Sequence, residues 1–226
     1  MTISDRQRNL TVGITAGLFI IFATMYFLRV KLPLMMAWPL ALLAFASVRT
    51  HSVKLTIAFF FSALGDIMGI MDFLLPQMGF FAVAHCFLIW FFVHRYFTKI
   101  NPERRLSRKN IGYITAASLC VAVIVVYSIA TIVPAVPSPT IKAGVVIYSF
   151  VIGSMLFTAL MQRSILYAVA AVLFVFSDMV IAWNSFIAPV PNERYVIMVT
   201  YYLAQLLFYL RASGLKVGKE FGRFRL

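Results

Sequence analysis

Long runs of apolar residues, interrupted only by short charged or proline-containing segments, dominate this chain. The hydrocarbon core of a membrane is about 30 Å thick, and an α-helix needs roughly 20 apolar residues to cross it. Eight runs approach or reach that length, which predicts an all-α polytopic membrane bundle of eight transmembrane helices. The predicted helices cover residues 10–28, 32–48, 53–72, 76–96, 111–132, 139–161, 165–187 and 194–212.

The amino-acid composition is that of a protein embedded in a membrane. Apolar residues make up 62% of the 226 residues and charged residues only 12%, whereas a soluble domain has about 45–50% and 25%. Eight spans would use about 160 residues and leave only short connections between them. These numbers exclude a water-soluble enzyme, a secreted disulfide scaffold and a disordered tail. They predict a single transmembrane domain over residues 1–226.

Lysine and arginine are unevenly divided between the two ends of the predicted helices. The end that carries both termini holds 16 of the 20 basic residues, and the opposite end holds Arg29, Lys31, Lys142 and Arg194. Because cytoplasmic loops are enriched in lysine and arginine, both termini are predicted to be cytoplasmic. The most basic segments, residues 97–110 and 213–226, are predicted to form a cytoplasmic loop and a cytoplasmic tail.

The net charge of +13 raises the question of a nucleic-acid partner. The basic residues lie between apolar runs and form no recognition helix, so the lipid bilayer and not nucleic acid is the expected partner. No targeting segment is evident, and we expect an integral protein of a bacterial inner membrane. No group of histidine, cysteine and carboxylate residues has metal-ligand spacing, so no metal site is expected; no other cofactor is expected either.

Carboxylates inside the predicted spans are the main candidates for chemistry. Of the seven acidic residues, only Asp66 and Asp178 lie deep inside predicted helices. A charged residue at the centre of a span costs about 2.5–3.5 kcal/mol on insertion scales, and it therefore usually faces protein or a wet cavity. Both aspartates lie roughly 9–14 Å from the outer end of their helix. We expect them to meet in one polar chamber that opens toward the outer leaflet.

Six further polar side chains lie at a similar depth or on the same helix faces as these aspartates. They are predicted to bind the substrate around Asp66 and Asp178, which are predicted to be catalytic. Hydrogen bonding between helices is the alternative role for these side chains, and the sequence leaves it open. The six residues are Ser62, His85, Tyr148, Ser185, Tyr201 and Gln205.

The motifs around these residues resemble one known family. Residues 62–68, 80–85, 174–182 and 200–205, taken in order, resemble the YhhN / lysoplasmalogenase membrane family over about residues 55–210. The resemblance implies an eight-span hydrolase that cleaves the vinyl-ether bond of lysoplasmalogen, a single-chain lysophospholipid. Its products would be a fatty aldehyde and glycerophosphoethanolamine or glycerophosphocholine. The resemblance also implies that Asp66 and Asp178 match the two active-site aspartates of the family.

The two aspartates suit that chemistry. Vinyl-ether hydrolysis begins with proton transfer to the β-carbon of the alkene and passes through an oxocarbenium ion. The reaction needs one protonated acid and one anionic group, and two carboxyl groups in a low-dielectric pocket provide both. Which aspartate is the acid is left open. The alternatives are a proton-coupled transporter of a small molecule or lipid, with the same aspartates as proton relays, and a non-catalytic scaffold.

Overall fold

The computed structural model describes residues 5–50, 52–99 and 108–214. These residues form eight α-helices and two 3₁₀ segments, Met35–Ala37 before α2 and Val133–Ala135 after α5. The prediction of an all-α fold is confirmed. Residues 100–107 of the predicted basic loop and 215–226 of the predicted tail lie outside the described part. The helices are α1 (Asp5–Phe27), α2 (Trp38–Thr50), α3 (Val53–Ile70), α4 (Leu74–Lys99), α5 (Arg108–Ile132), α6 (Pro139–Leu160), α7 (Ile165–Phe186) and α8 (Glu193–Ala212).

Seven of these eight helices are long and apolar enough to cross a membrane. The second helix is the exception, since its apolar stretch covers only Met35–Val48. Each predicted span overlaps one observed helix. Helix length and composition therefore identify the chain as an integral membrane protein.

Short connections set the directions of the acid-bearing helices. Asp72 and Asn192 adopt left-handed backbone angles, with φ of 57° and 55°, in the connections that lead into α4 and α8. Aspartate and asparagine tolerate this conformation better than most residues, because their side chains bond to the local backbone. The chain reverses there within a few residues, so α3 runs antiparallel to α4 and α7 antiparallel to α8. Gly69 near the end of α3 and Ile181 in the second half of α7 line one cavity, so the C-terminal parts of α3 and α7 lie at the same end of the bundle.

Aromatic and small residues fill the core between α3, α4, α7 and α8. Phe174 packs against Tyr201 with ring centres 5.4 Å apart, and Phe92 packs against Tyr167 at 5.1 Å. The hydrophobic effect does not drive helices together within lipid, so their association depends more on close van der Waals contact through small residues. The core accordingly contains buried alanines on these four helices, namely Ala58, Ala63, Ala84, Ala170, Ala171 and Ala204.

A glycine permits a close approach beside one of the two aspartates. A Cβ atom added at Gly65 would lie 3.0 Å from the ring of Phe81 on α4. Phe81 also packs edge-on against Phe174 and Tyr201, at 6.3 and 5.8 Å. The absent side chain thus lets the Phe81 ring lie against α3, one residue before Asp66.

Gly153 on α6 plays the same role toward α5, and its substitution gives a stability prediction. An added Cβ would clash with Cγ2 of Val125, so Gly153→Ala is expected to destabilise the bundle by about 1–3 kcal/mol. Gly112 on α5 has nothing within 4 Å, so Gly112→Ala is expected to stabilise it by about 0.5–1 kcal/mol. Thermal unfolding of both variants in detergent measures the difference. Equal melting temperatures would contradict this packing of α5 on α6.

Candidate active site

Asp66 is buried between α3 and α8. It is 1% exposed, and its Oδ2 accepts a hydrogen bond of 3.1 Å from the hydroxyl of Tyr201. Tyr201 is 3% exposed and is held by the rings of Phe81 and Phe174. The aspartate therefore has one fixed hydrogen-bond donor on the facing helix.

Asp178 lies on α7 and belongs to a three-residue network with α4 and α6. The hydroxyl of Tyr148 donates to its Oδ2 at 2.5 Å. Nε2 of His85 lies 3.1 Å from the same hydroxyl and 3.5 Å from the same Oδ2. Because the tyrosine proton points at Asp178, Nε2 of His85 must be the donor toward the tyrosine oxygen. Tyr148 is therefore the hydrogen-bond donor to Oδ2 of Asp178, and His85 in turn donates to Tyr148.

The other ring nitrogen indicates the tautomer of His85. His85 is 0% exposed, and its Nδ1 has no hydrogen-bond partner among the described residues. A proton on this nitrogen would be a buried donor without an acceptor, which costs about 1–3 kcal/mol. The geometry therefore fits the tautomer that carries its hydrogen on Nε2.

Both aspartates line one cavity of about 150 Å³. Its polar lining consists of Asp66, Asp178, Gln77, Ser177 and the hydroxyl-bearing Tyr201. Residues of α3, α4, α7 and α8 and the 3₁₀ segment before α2 contribute to the wall. The remaining lining residues are Met36, Gly69, Phe81, Ile181, Ile197 and Met198.

A second and mostly apolar cleft of about 70 Å³ adjoins this cavity. Helices α4, α5, α6 and α7 line it with side chains such as Ile124, Ile152 and Ala182. Gln77, Phe81, Asp178 and Ile181 line both spaces. Asp178 therefore lies where a polar chamber meets an apolar cleft.

A match to known sequences assigns the family. Residues 25–212, most of the chain, match the YhhN family. The chain belongs to the YhhN family. The protein named Lysoplasmalogenase TMEM86B from Sus scrofa is 29% identical over 164 residues, which cover 72% of this chain and 65% of that protein.

Other relatives of this YhhN-family protein carry the same name. Lysoplasmalogenase TMEM86B from Homo sapiens is 31% identical over 159 residues, covering 70% of this chain and 62% of that protein. The protein of that name from Rattus norvegicus is 43% identical over 82 residues, 34% of each chain. The chain thus spans a little under two thirds of the length of the pig and human relatives. No solved structure matches it.

Two of the predicted substrate-binding residues pair with each other in this YhhN-family protein. Nε2 of Gln205 donates to Oγ of Ser62 at 3.1 Å, and both side chains are 1% exposed. Ser62 lies one helical turn before Asp66, and Gln205 one turn after Tyr201. The two hydrogen bonds form successive links between α3 and α8. Ser62 and Gln205 line neither the cavity nor the cleft. Their hydrogen bond instead links α3 to α8.

Ser185 is the predicted site residue that the structure does not bring to the others. It is exposed, it lies one residue before the end of α7, and it lines neither space. Ser185 lies two helical turns after Asp178, so it is on the same face of α7 but about 10 Å further along the helix axis. The lining of the polar cavity on α7 ends at Ile181, one turn before Ser185, although the apolar cleft extends to Phe186.

Gln77 and Ser177 line the cavity but are not among the predicted site residues. One face of α4 carries Gln77, Phe81 and His85, which are spaced four residues apart. The sequence signal for Gln77 is therefore an amide side chain inside an apolar run, on the same helix face as His85. Ser177 occurs in no nucleophile-elbow motif, so the sequence does not mark it as a nucleophile. Its hydroxyl donates to the carbonyl of Phe174 at 2.8 Å. Within the described segments, no three histidine, cysteine or acidic residues cluster as metal ligands.

Proposed function

We propose that this protein is a lysoplasmalogenase-type hydrolase that cleaves the vinyl-ether bond of a lysophospholipid by aspartate acid–base catalysis. The observation that carries the proposal is that Asp66 and Asp178, the two carboxylates deep in the spans, line the same cavity. The names of the pig and human relatives support the reaction class. The adjoining apolar cleft supports a substrate with one long hydrocarbon chain.

The hydrogen bonds around the two aspartates favour different roles for them. Asp178 accepts a hydrogen bond at Oδ2 from Tyr148, whose oxygen in turn lies 3.1 Å from Nε2 of His85, and such a chain of donors stabilises an ionised carboxylate. Asp66 has one donor, from Tyr201, and is almost completely buried. We assign the proton to Asp66 and the negative charge to Asp178. Asp66 is then the general acid, and Asp178 stabilises the cation.

With water as the second reactant, the reaction balances on these two carboxyl groups. Asp66 transfers its proton to the β-carbon of the vinyl ether, which leaves an oxocarbenium ion beside the ionised Asp178. Water adds to the carbon attached to oxygen, and its proton passes to Asp178. Asp178 next protonates the glycerol oxygen while Asp66 removes the proton of the hemiacetal hydroxyl. The carbon–oxygen bond breaks, aldehyde and alcohol leave, and both aspartates regain their starting states.

The two adjoining spaces suggest how the substrate lies. The hydrocarbon chain would occupy the apolar cleft between α5 and α7, and the glycerol would face Gln77 and Ser177 in the polar cavity. The vinyl ether joins these two parts of the lipid. It would therefore lie at the junction, which Asp178 and Phe81 share.

We also propose that all eight helices cross the membrane, with both termini in the cytoplasm. The second helix and the 3₁₀ segment before it run without a break from Met35 to Thr50, a length of about 25 Å. Leu40, Leu43 and Ser47 of this helix are 0% exposed, as expected for a helix packed along its length. The excess of basic residues at the end with the termini supports the orientation. The cavity would then lie in the outer half of the bilayer.

A deuterium experiment tests the proposed reaction. The purified protein is incubated in D₂O with an alkenyl lysophosphatidylethanolamine or with its saturated alkyl analogue, and any aldehyde is trapped at once by reduction. We expect aldehyde from the alkenyl lipid alone, with one deuterium on the carbon next to the carbonyl. The reason is that only the alkene accepts a proton at carbon to give the oxocarbenium ion.

Three results would contradict the proposal. Aldehyde without deuterium at that carbon would exclude protonation of the alkene. Equal cleavage of the saturated ether would exclude the vinyl-ether mechanism. Proton-driven flux of the lipid through proteoliposomes without any product would favour the transporter, in which the same aspartates relay protons.

A further inference from the structure

At the end of the bundle opposite the candidate active site, two arginines flank one buried tyrosine. Cζ of Arg95 on α4 and Cζ of Arg211 on α8 each lie 5.6 Å from the ring centre of Tyr167 on α7. Tyr167 is 1% exposed, and within the described part of the chain its hydroxyl has no hydrogen-bond partner. A buried hydroxyl is seldom left without a partner. The two cations beside its ring suggest that the partner is an anion.

The first turn of α7 adds hydrogen-bond donors to this arrangement. Ser164 is the N-cap residue of α7, but its side chain makes no capping hydrogen bond. Its hydroxyl instead accepts a hydrogen bond of 2.9 Å from Nε of Arg211. The first amides of a helix have no partner within the helix, and the helix dipole makes this end positive. Backbone amides and the Arg211 guanidinium therefore lie together beside Tyr167.

No described carboxylate balances this charge. The acidic residues whose side chains the structure describes lie in α3 and the turn after it, in the C-terminal two thirds of α7, and at the start of α8: Asp66, Asp72, Asp178 and Glu193. Arg163 lies near the same end but bonds to Oδ1 of Asn110 at 2.6 Å. Arg95 and Arg211 are half-buried, so a small anion can reach them. Partly buried cations without a counter-charge favour the binding of one.

We propose that Arg95, Arg211, the Tyr167 hydroxyl and the first turn of α7 form a binding site for a phosphate group. Arginine binds phosphate through paired N–H donors, and helix N-termini are common phosphate sites. The end of a membrane-spanning helix also lies at the level of lipid phosphates. The group could belong to a membrane phospholipid or to free phosphate. Tyr167 and Asp178 are eleven residues apart on α7, about 16 Å, so this site is separate from the proposed catalytic cavity.

Ligand-dependent melting of the full-length protein in detergent tests the site. One arm adds inorganic phosphate at constant ionic strength, with chloride as reference. The other adds phosphatidylglycerol at fixed mole fraction, with phosphate-free diacylglycerol as reference. We expect phosphatidylglycerol, inorganic phosphate or both to raise the melting temperature of the wild type by several degrees. A response to the lipid alone assigns the site to a phospholipid, and a response to both shows that the phosphate group suffices.

The variants separate this site from general attraction to anions. Tyr167→Phe removes the buried hydroxyl and no charge, and Arg211→Gln removes one cation; both are expected to weaken binding about tenfold. Lys109→Gln removes an exposed charge at the same end of the bundle and should leave the response unchanged. Each variant is compared with itself with and without ligand, which removes the direct effect of the substitution on its starting melting temperature. No response of the wild type to either probe, or equal responses in all variants, would overturn the proposal.

Discussion

Replacing either membrane aspartate by asparagine is expected to reduce aldehyde release about 10²–10⁴-fold, the contribution of a positioned acid or base. Asp66→Asn keeps the shape of the side chain but cannot deliver a proton to the alkene. Asp178→Asn keeps the acceptor for the Tyr148 hydroxyl but removes the negative charge beside the oxocarbenium ion. Both are measured as aldehyde released per mole of folded protein, with folding checked by thermal melting.

The double variant and one control sharpen this prediction. If the two aspartates act in one cycle, the double substitution should cost little more than the worse single one, since residues that act as a unit are not additive. Asp72 is exposed in the turn between α3 and α4. Its left-handed backbone also suits asparagine, so Asp72→Asn should retain full activity. Unchanged turnover in Asp66→Asn or Asp178→Asn would remove that residue from the mechanism.

The sequence was sufficient to predict the helices and to relate the two aspartates. Apolar runs fix helix positions because a helix in lipid satisfies its own backbone. Successive spans cross the membrane in alternating directions, so the position of a residue within its span gives its depth in the membrane. This reasoning predicted similar depths for Asp66 and Asp178. The structure adds that both line the same cavity. Their catalytic roles remain predictions.

Neighbour relations across the bundle were beyond the reach of the sequence. Periodicity gives the face of each helix but not which helix it meets. It therefore did not show that Tyr201 donates to Asp66 and Tyr148 to Asp178. It also could not show where the cavity ends. For this reason Ser185, on the same face as Asp178, was predicted in the site although it is exposed.

Filling the apolar cleft should block long-chain substrates while sparing the chemistry. Ala182 lines the cleft next to Ile181, which lines both spaces. Phenylalanine at position 182 would occupy the path proposed for the hydrocarbon chain. Each methylene displaced from an apolar site costs about 0.8 kcal/mol. Excluding three or four of them would therefore lower kcat/KM for a long-chain alkenyl lysolipid about 50-fold or more.

Chain length supplies the control within the same variant. A four-carbon alkenyl analogue does not reach deep into the cleft, so Ala182→Phe should turn it over at nearly the wild-type rate. Val172 lies on the outer face of α7 and is 52% exposed, so Val172→Phe should affect neither substrate. If Ala182→Phe slowed both substrates equally, the cavity itself would be disturbed. If it slowed neither, the chain would lie elsewhere, and the junction at Asp178 would lose its role in placing the vinyl ether.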